Sequence, residues 1–356
     1  MPRRRIIVNN DYYNIFQINP PVEDQDILDA VDRIADGQVD TLTLELPAVL
    51  ADEPMVDADL EARYQHPLGD WCMANLRALE AAGRDPWGMI LERAHAKGMS
   101  FFASLRMNDT HYKDQPFSPF LGQFYYDHLD DRIGEPAART NTEFDYRKSA
   151  VRDYFLSPIR ACLERYDIDG LELNFTRNCR FFPADHAEEC APIMTQFVRT
   201  VRHLLDEYGR KRGKSMHLCA MVPYSILGCR REGVDLTAMA RLGLIDSVAF
   251  SSPFLATLDH DIADAKRNLA GIEIYAGCDR NLRFGFDGAS RVVPMQAYRA
   301  MASNYLRHGA DGIHLFNVMS WTMNYDKADA AVKRDGGQGE TTGAPIDYDR
   351  RLIHEL

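Results

Sequence analysis

Eight short apolar runs, separated by stretches of helical periodicity, constrain what this 356-residue chain can fold into. The runs are IIVNND (6–11), TLTLEL (41–46), SFFASLRMND (100–109), LELNF within 170–175, HLCAMVPYS (217–225), DSVAFSSP (246–253), EIYAGCDR (273–280) and ADGIHLFNV (310–318). Between them the spacing predicts helices over 26–37, 85–98, 149–166, 191–212, 235–242, 259–270 and 294–309. Helix boundaries carry fitting residues: Asp85 as N-cap before Pro86, Pro294 at a start, and Gly98, Gly213 and Gly309 at stops. Eight strands alternating with helices is the count of an α/β protein of the (β/α)8 TIM-barrel class. An open doubly wound sheet would carry a Gly-rich loop after its first strand, and NNDYYN (9–14) is nothing like one. We therefore expect one barrel domain over 1–356. Within it, 319–356 reads as a C-terminal extension with a flexible stretch, RDGGQGETTGAP (334–345).

Composition narrows the partners. The net charge of −12 disfavours nucleic acid, which needs a basic footprint. No apolar run reaches the roughly 18 residues of a membrane span, so no membrane partner is expected. The start, MPRRRIIVNN, has no apolar signal core, which fits a cytoplasmic protein. Seven cysteines show no CxxC and no Cys/His metal spacing, so they read as reduced, buried small hydrophobes. No cofactor and no metal are expected. A homodimer stays open, but no helix carries an exposed apolar face clear enough to argue for one.

Two connections, 47–84 after the second strand and 110–148 after the third, are far longer than usual and leave the C-terminal ends of strands, the catalytic face of such a barrel. The second is rich in aromatic residues, among them Tyr112, Phe117, Phe124, Tyr125, Phe144 and Tyr146. These rings could stack on sugar faces or form a small satellite core.

In YDIDGLELNFTR (166–177), alternation puts Glu172 and Asn174 on one face and Leu171, Leu173 and Phe175 on the other. An acidic residue inside an apolar strand is costly unless paired or used. Polar residues recur at the other strand ends: Asp11, Glu45, Arg106, Asn108, Asp109, His111, Arg177, Tyr224, Asp279, Arg280, Asn317 and Trp321. A polar upper layer suits a hydroxylated ligand. Glu172 and Asp109 are the first candidates for a catalytic carboxylate pair, with Asp279 and Asp11 behind them; Glu45, deeper in its strand, reads as structural. Asp11, Arg106, Asn108, His111, Asn174, Arg177, Tyr224, Arg280, Asn317 and Trp321 are expected to bind substrate. Glu172 has a second reading, as the partner of Arg106 or Arg177 in a buried ion pair. Arg106, Arg177 and Arg280 could read an acidic sugar bidentately.

NND (9–11), SLRMNDTH (104–111), DIDGLELNFTRNCRFF (167–182) and ADGIHLFN (310–317) resemble the uncharacterised bacterial barrel proteins known as family-10-like glycosyl hydrolases. The resemblance runs from the first strand to the last and implies a (β/α)8 fold and hydrolysis of glycosides. In that pattern an acidic residue stands where this chain has Asn174, and an arginine near Met221. A chitinase-like DGxDxDxE run would place its proton-donating Glu at Thr176. The Asn-Glu pair of retaining barrel glycosidases is missing as well, so a standard retaining mechanism is not supported.

The function expected from the sequence is a glycoside hydrolase acting on an oligosaccharide or glycoside by a two-carboxylate acid/base mechanism, with an acidic sugar as one option. A non-catalytic sugar-binding barrel is the first alternative, favoured by Asn174 and Thr176. A metal-dependent isomerase or hydrolase is the second, weakened by the lack of His-x-His in the first strand.

Overall fold

The computed structural model describes residues 5–16, 20–46, 67–109, 122–134, 143–223, 225–252, 256–278, 281–283, 290–292 and 295–316. Eight strands close into a parallel barrel: β1 (Arg5–Asn10), β2 (Thr41–Glu45), β3 (Ser100–Arg106), β4 (Gly170–Asn174), β5 (His217–Val222), β6 (Ser247–Phe250), β7 (Glu273–Gly277) and, after a small antiparallel pair β8 (Asn281–Arg283) and β9 (Ser290–Val292), β10 (Gly312–Phe316). Their order round the barrel is β1-β10-β7-β6-β5-β4-β3-β2, and β1 also pairs with β2. This is the (β/α)8 TIM barrel that the alternation predicts.

The period of two sorts the side chains. Leu171 and Leu173 face the helices and join a continuous core with Ile159, Leu163, Val198 and Val201. Each such buried side chain contributes about 1.5–3 kcal/mol. The other face lines the bore. Ile7, Cys219, Met221, Ala249, Tyr275 and Phe316 form a separate small cluster there.

The bottom rim repeats one device four times. Asp40, Asp169, Asp246 and Asp311 each stand just before an even-numbered barrel strand. Each donates its N–H to a carbonyl of the preceding strand (Ile6, Phe101, Leu218 and Ile274) and accepts that same residue's N–H on its carboxylate. Lys214 and Arg202, just after and within the helix Ala187–Arg212, and Lys266 on the helix Ile262–Asn268 pair with Asp169, Asp246 and Asp311. The clamp fixes the register of each odd–even strand pair. Gly213 closes the long helix Ala187–Arg212 at φ 68°, a left-handed position that favours glycine.

Two connections carry more than expected. The first contains a helix, Pro67–Ala81. Its Asn75 is buried, donates to the Phe16 carbonyl and accepts from Val22 N–H, which ties the helix to the exit of β1. In the second connection, Phe124, Tyr125, Phe144 and Tyr146 are buried. Phe124 stacks on Tyr154 at 4.0 Å and Tyr146 on Phe155 at 5.3 Å, both partners lying on the helix Ser149–Arg165. These four rings belong to the main core rather than to a separate satellite one. Tyr112 and Phe117 lie outside the described residues, as does the extension 319–356.

Candidate active site

The C-terminal mouth is organised by Arg106, the last residue of β3. Its Nε donates to Glu45 Oε1 at 3.0 Å, its Nη1 to Asp109 Oδ2 at 2.5 Å, and its Nη2 to Asp11 Oδ1. Asp11 follows β1, Glu45 ends β2 and Asp109 lies just past β3. Three neighbouring strands thus deliver three carboxylates to one guanidinium. Arg177, past the end of β4, is buried within reach of the same charges. Burial opposes the charge on Arg106, but the three carboxylates outweigh it and hold its pKa well above the usual value. Burial and the Arg106 charge both push Arg177 down.

Glu45 is the perturbed group. Desolvation, helped by the negative charges of Asp11 and Asp109, outweighs Arg106 and Arg177 and lifts its carboxyl to about 8. Its surroundings therefore favour the protonated form of Glu45 more than those of an ordinary carboxyl do. The side chains of Asp11, Glu45 and Asp109 keep 20%, 17% and 21% exposure, so all three face the opening.

Glu172 lies deeper. Its side chain keeps 1% exposure. Oε1 accepts from Asn9 Nδ2 at 2.5 Å and from Ser104 Oγ at 2.9 Å, while Oε2 meets His314 Nε2 at 2.9 Å. β4 and β10 stand opposite each other in the strand order, so the Glu172–His314 contact spans the bore. The ion pair imagined with Arg106 or Arg177 is replaced by this uncharged-donor and imidazole cradle.

The other sequence candidates separate clearly. Asn108 is fully buried, and its amide serves backbone: Nδ2 donates to the Phe144 and Arg180 carbonyls and Oδ1 accepts from Phe144 N–H. Asn174 ends β4 in register with Arg106, so both side chains share the inner face. Its Oδ1 accepts from Thr176 N–H at 2.9 Å and Thr176 Oγ at 2.7 Å. His111, Tyr224, Asp279, Arg280, Asn317 and Trp321 lie outside the described residues. Among the described residues no three His, Cys, Asp or Glu side chains are grouped to hold a metal ion, and no helix is long and apolar enough to cross a membrane. Glu45 is the residue that sequence reasoning set aside. Its inward parity with Thr43 was readable; the carboxylates that crowd it come from other strands.

Fold and mouth together define a (β/α)8 barrel with a cluster of carboxyl groups at the C-terminal end of its strands. No family model matches the chain, and no curated protein matches it significantly. Solved structures do share the fold. The glycoside hydrolase domain of PgaB (BpsB) from Bordetella bronchiseptica aligns over 100% of both chains at 12% identity with a TM-score of 0.59. The endo-beta-1,4-mannanase of Thermotoga petrophila aligns over 100% of this chain and 76% of its own, at 11% identity and a TM-score of 0.54. A maltogenic alpha-amylase, AmyB of Thermotoga neapolitana, aligns over 100% and 77%, at 12% identity and a TM-score of 0.51. At such identities the likeness is one of fold.

Proposed function

We propose that this protein is a glycoside hydrolase that cleaves an oligosaccharide or glycoside with a pair of carboxyl groups. The observation that carries the reading is the mouth cluster: three partly exposed carboxyl groups on one guanidinium, one of them with its pKa raised by burial. Glycoside hydrolysis needs that asymmetry, a neutral acid beside an ionised carboxylate. The neighbours named above carry hydrolysis of glycosides on the same fold, and the family-10-like resemblance points the same way.

Glu45 is the proposed general acid. It protonates the glycosidic oxygen as the bond to the anomeric carbon breaks. The carboxylate left behind meets Arg106 Nε, which stabilises the charge as it forms. Asp109 is the proposed partner, with Asp11 on the same guanidinium as its understudy and Asp279 as a further candidate. The partner either attacks the anomeric carbon or takes a proton from the attacking water. Carboxyl groups about 5 Å apart give retention and about 6.5–9.5 Å give inversion. Glu172 is proposed as the buried anchor beneath the site, holding Asn9, Ser104 and His314. An acidic sugar is the second reading of specificity, favoured by Arg177 beside Arg106.

The test is release of new reducing ends from a panel of neutral and acidic oligosaccharides. Glu45→Gln and Asp109→Asn should each abolish release. A glycoside with a strongly acidic phenol as leaving group needs no proton, so it should rescue Glu45→Gln and leave Asp109→Asn inactive. Sugar binding without release by the unaltered protein would replace this reading with the binding-protein one.

A further inference from the structure

Beneath the carboxyl cluster lies a second tier of polar contacts. Asn9 on β1 donates through Nδ2 to Ser104 Oγ on β3 at 3.2 Å, and both residues are buried. β1 and β3 are not neighbours, because β2 lies between them and pairs with each. The contact therefore crosses β2 inside the bore and joins two strands that the sheet itself keeps apart. Glu172 on β4 closes it into a triangle, since its Oε1 accepts from Asn9 at 2.5 Å and from Ser104 at 2.9 Å. His314 on β10 meets the other carboxyl oxygen at 2.9 Å.

The upper tier repeats the span. Asp11 comes two residues after Asn9 and Arg106 two residues after Ser104, and these two are also joined across β2. The period of two stacks each over its predecessor on the inner face. Glu45 of β2 stands between them, in register with Ser104 and with Oε1 at 3.0 Å from Arg106 Nε. An uncharged rung thus lies directly below the charged one, on the same two strands. The charged groups facing Glu45 are Arg106 and Asp109 from β3 and its exit, Asp11 from the exit of β1 and Arg177 from the exit of β4. Their energies depend on separation, and the lower rung holds the separation of β1 from β3.

We propose that Asn9 and Ser104 are positioning residues of the mouth: their hydrogen bond, locked from β4 by Glu172, sets the distance between β1 and β3 and so holds Asp11 and Arg106 against Glu45. This deepens the glycoside hydrolase reading and rests on it for the catalytic use of Glu45. The direction of the effect follows from the causes. Burial, then Asp11 and Asp109, raise the Glu45 carboxyl. A slack rung admits water and lets Asp11 swing off Arg106, and each of these lowers it. Thr43 supplies the contrast. It faces the bore from β2 in register with Asn9, it is fully buried, and its Oγ1 has no hydrogen-bond partner among the described residues. It shares the layer and takes no part in the rung.

The experiment follows the Glu45 carboxyl carbon by NMR through a pH titration of the full chain, with the signal assigned by its loss in Glu45→Gln. Ser104→Ala leaves Asn9 on Glu172 and should lower the midpoint by about half a pH unit. Asn9→Ala removes both contacts and should lower it by about one pH unit or more. Thr43→Val alters the same layer without touching the rung, and its midpoint should match the parent's. An unmoved midpoint in folded Ser104→Ala, an equal shift in Thr43→Val, or a parent midpoint at the ordinary carboxyl value would overturn the proposal. Should Asn9→Ala fail to fold, Ser104→Ala decides alone. On a substrate that the parent cleaves, the alkaline limb of the rate should shift with the midpoint. A midpoint that moves while the rate limb stays, or a protein that cleaves nothing, sinks the catalytic reading of Glu45 and leaves the positioning standing. An unmoved midpoint in a protein that does cleave sinks the positioning alone.

Discussion

Glu45 shows how a residue acquires chemistry from neighbours that are remote in sequence. Its parity along TLTLE pointed inward, but nothing local announced that Asp11 and Asp109 would share its guanidinium. Arg106, Asp109 and Asp11 were legible because polar side chains at strand ends must either pair or work. The lifted pKa gives two predictions. Activity should fall as pH rises through about 8, when the acid loses its proton. Stability carries the same signature. The folded-state pKa lies above the unfolded value, so the Glu45 contribution is complete below about pH 4.5 and is lost as pH rises through about 8. Glu45→Gln has no proton to lose. Its melting temperature should decline less than that of the parent across this window, while its rate on substrates with poor leaving groups drops about 10²–10⁴-fold. Asn108 makes the opposite case. Truncation to Ala strands three backbone groups, and urea titration should show a loss of about 2–4 kcal/mol.

At the scale of elements, the strand order and most helix boundaries follow from periodicity and capping. The rim clamps were half legible. DIDG (167–170) and GADG (309–312) stand out as turns because glycine follows the aspartate. Asp40 and Asp246 perform the same task before Thr41 and Ser247, and no glycine marks them. Removing one clamp, as in Asp246→Ala, leaves the buried Leu218 N–H without its acceptor and should cost about 1–3 kcal/mol in urea unfolding. Asp169 adds a pH dependence. Burial raises its pKa, but bonds from Phe101 N–H, Lys214 and His95 outweigh burial and hold it below the usual value. Its stabilisation is present above the unfolded pKa and lost as pH falls through the folded one. Asp169→Asn should therefore flatten the acid side of the stability curve. The helix Pro67–Ala81 escaped notice because a buried asparagine, Asn75, anchors it to the exit of β1.

At the scale of the whole molecule, the closed barrel was legible from the count and spacing of its strands. The link through its bore was not. Glu172 and His314 are 142 positions apart and meet only when the barrel closes. The sequence marked Glu172 as a carboxylate that must be paired or used, and the structure surrounds it with Asn9, Ser104 and His314 below the cluster on Arg106. Replacement by Leu would leave those groups buried without their acceptor and should cost about 3–5 kcal/mol. Glu172→Gln keeps the shape and most of the contacts. The most direct test of the account sets Glu45→Gln beside Glu172→Gln, both checked for folding, and compares their release of reducing ends from a substrate that the unaltered protein cleaves. The account predicts that Glu45→Gln is inactive and that Glu172→Gln stays within about ten-fold of the parent. An active Glu45→Gln, or a folded but inactive Glu172→Gln, would contradict it and return the catalytic role to the centre of the barrel.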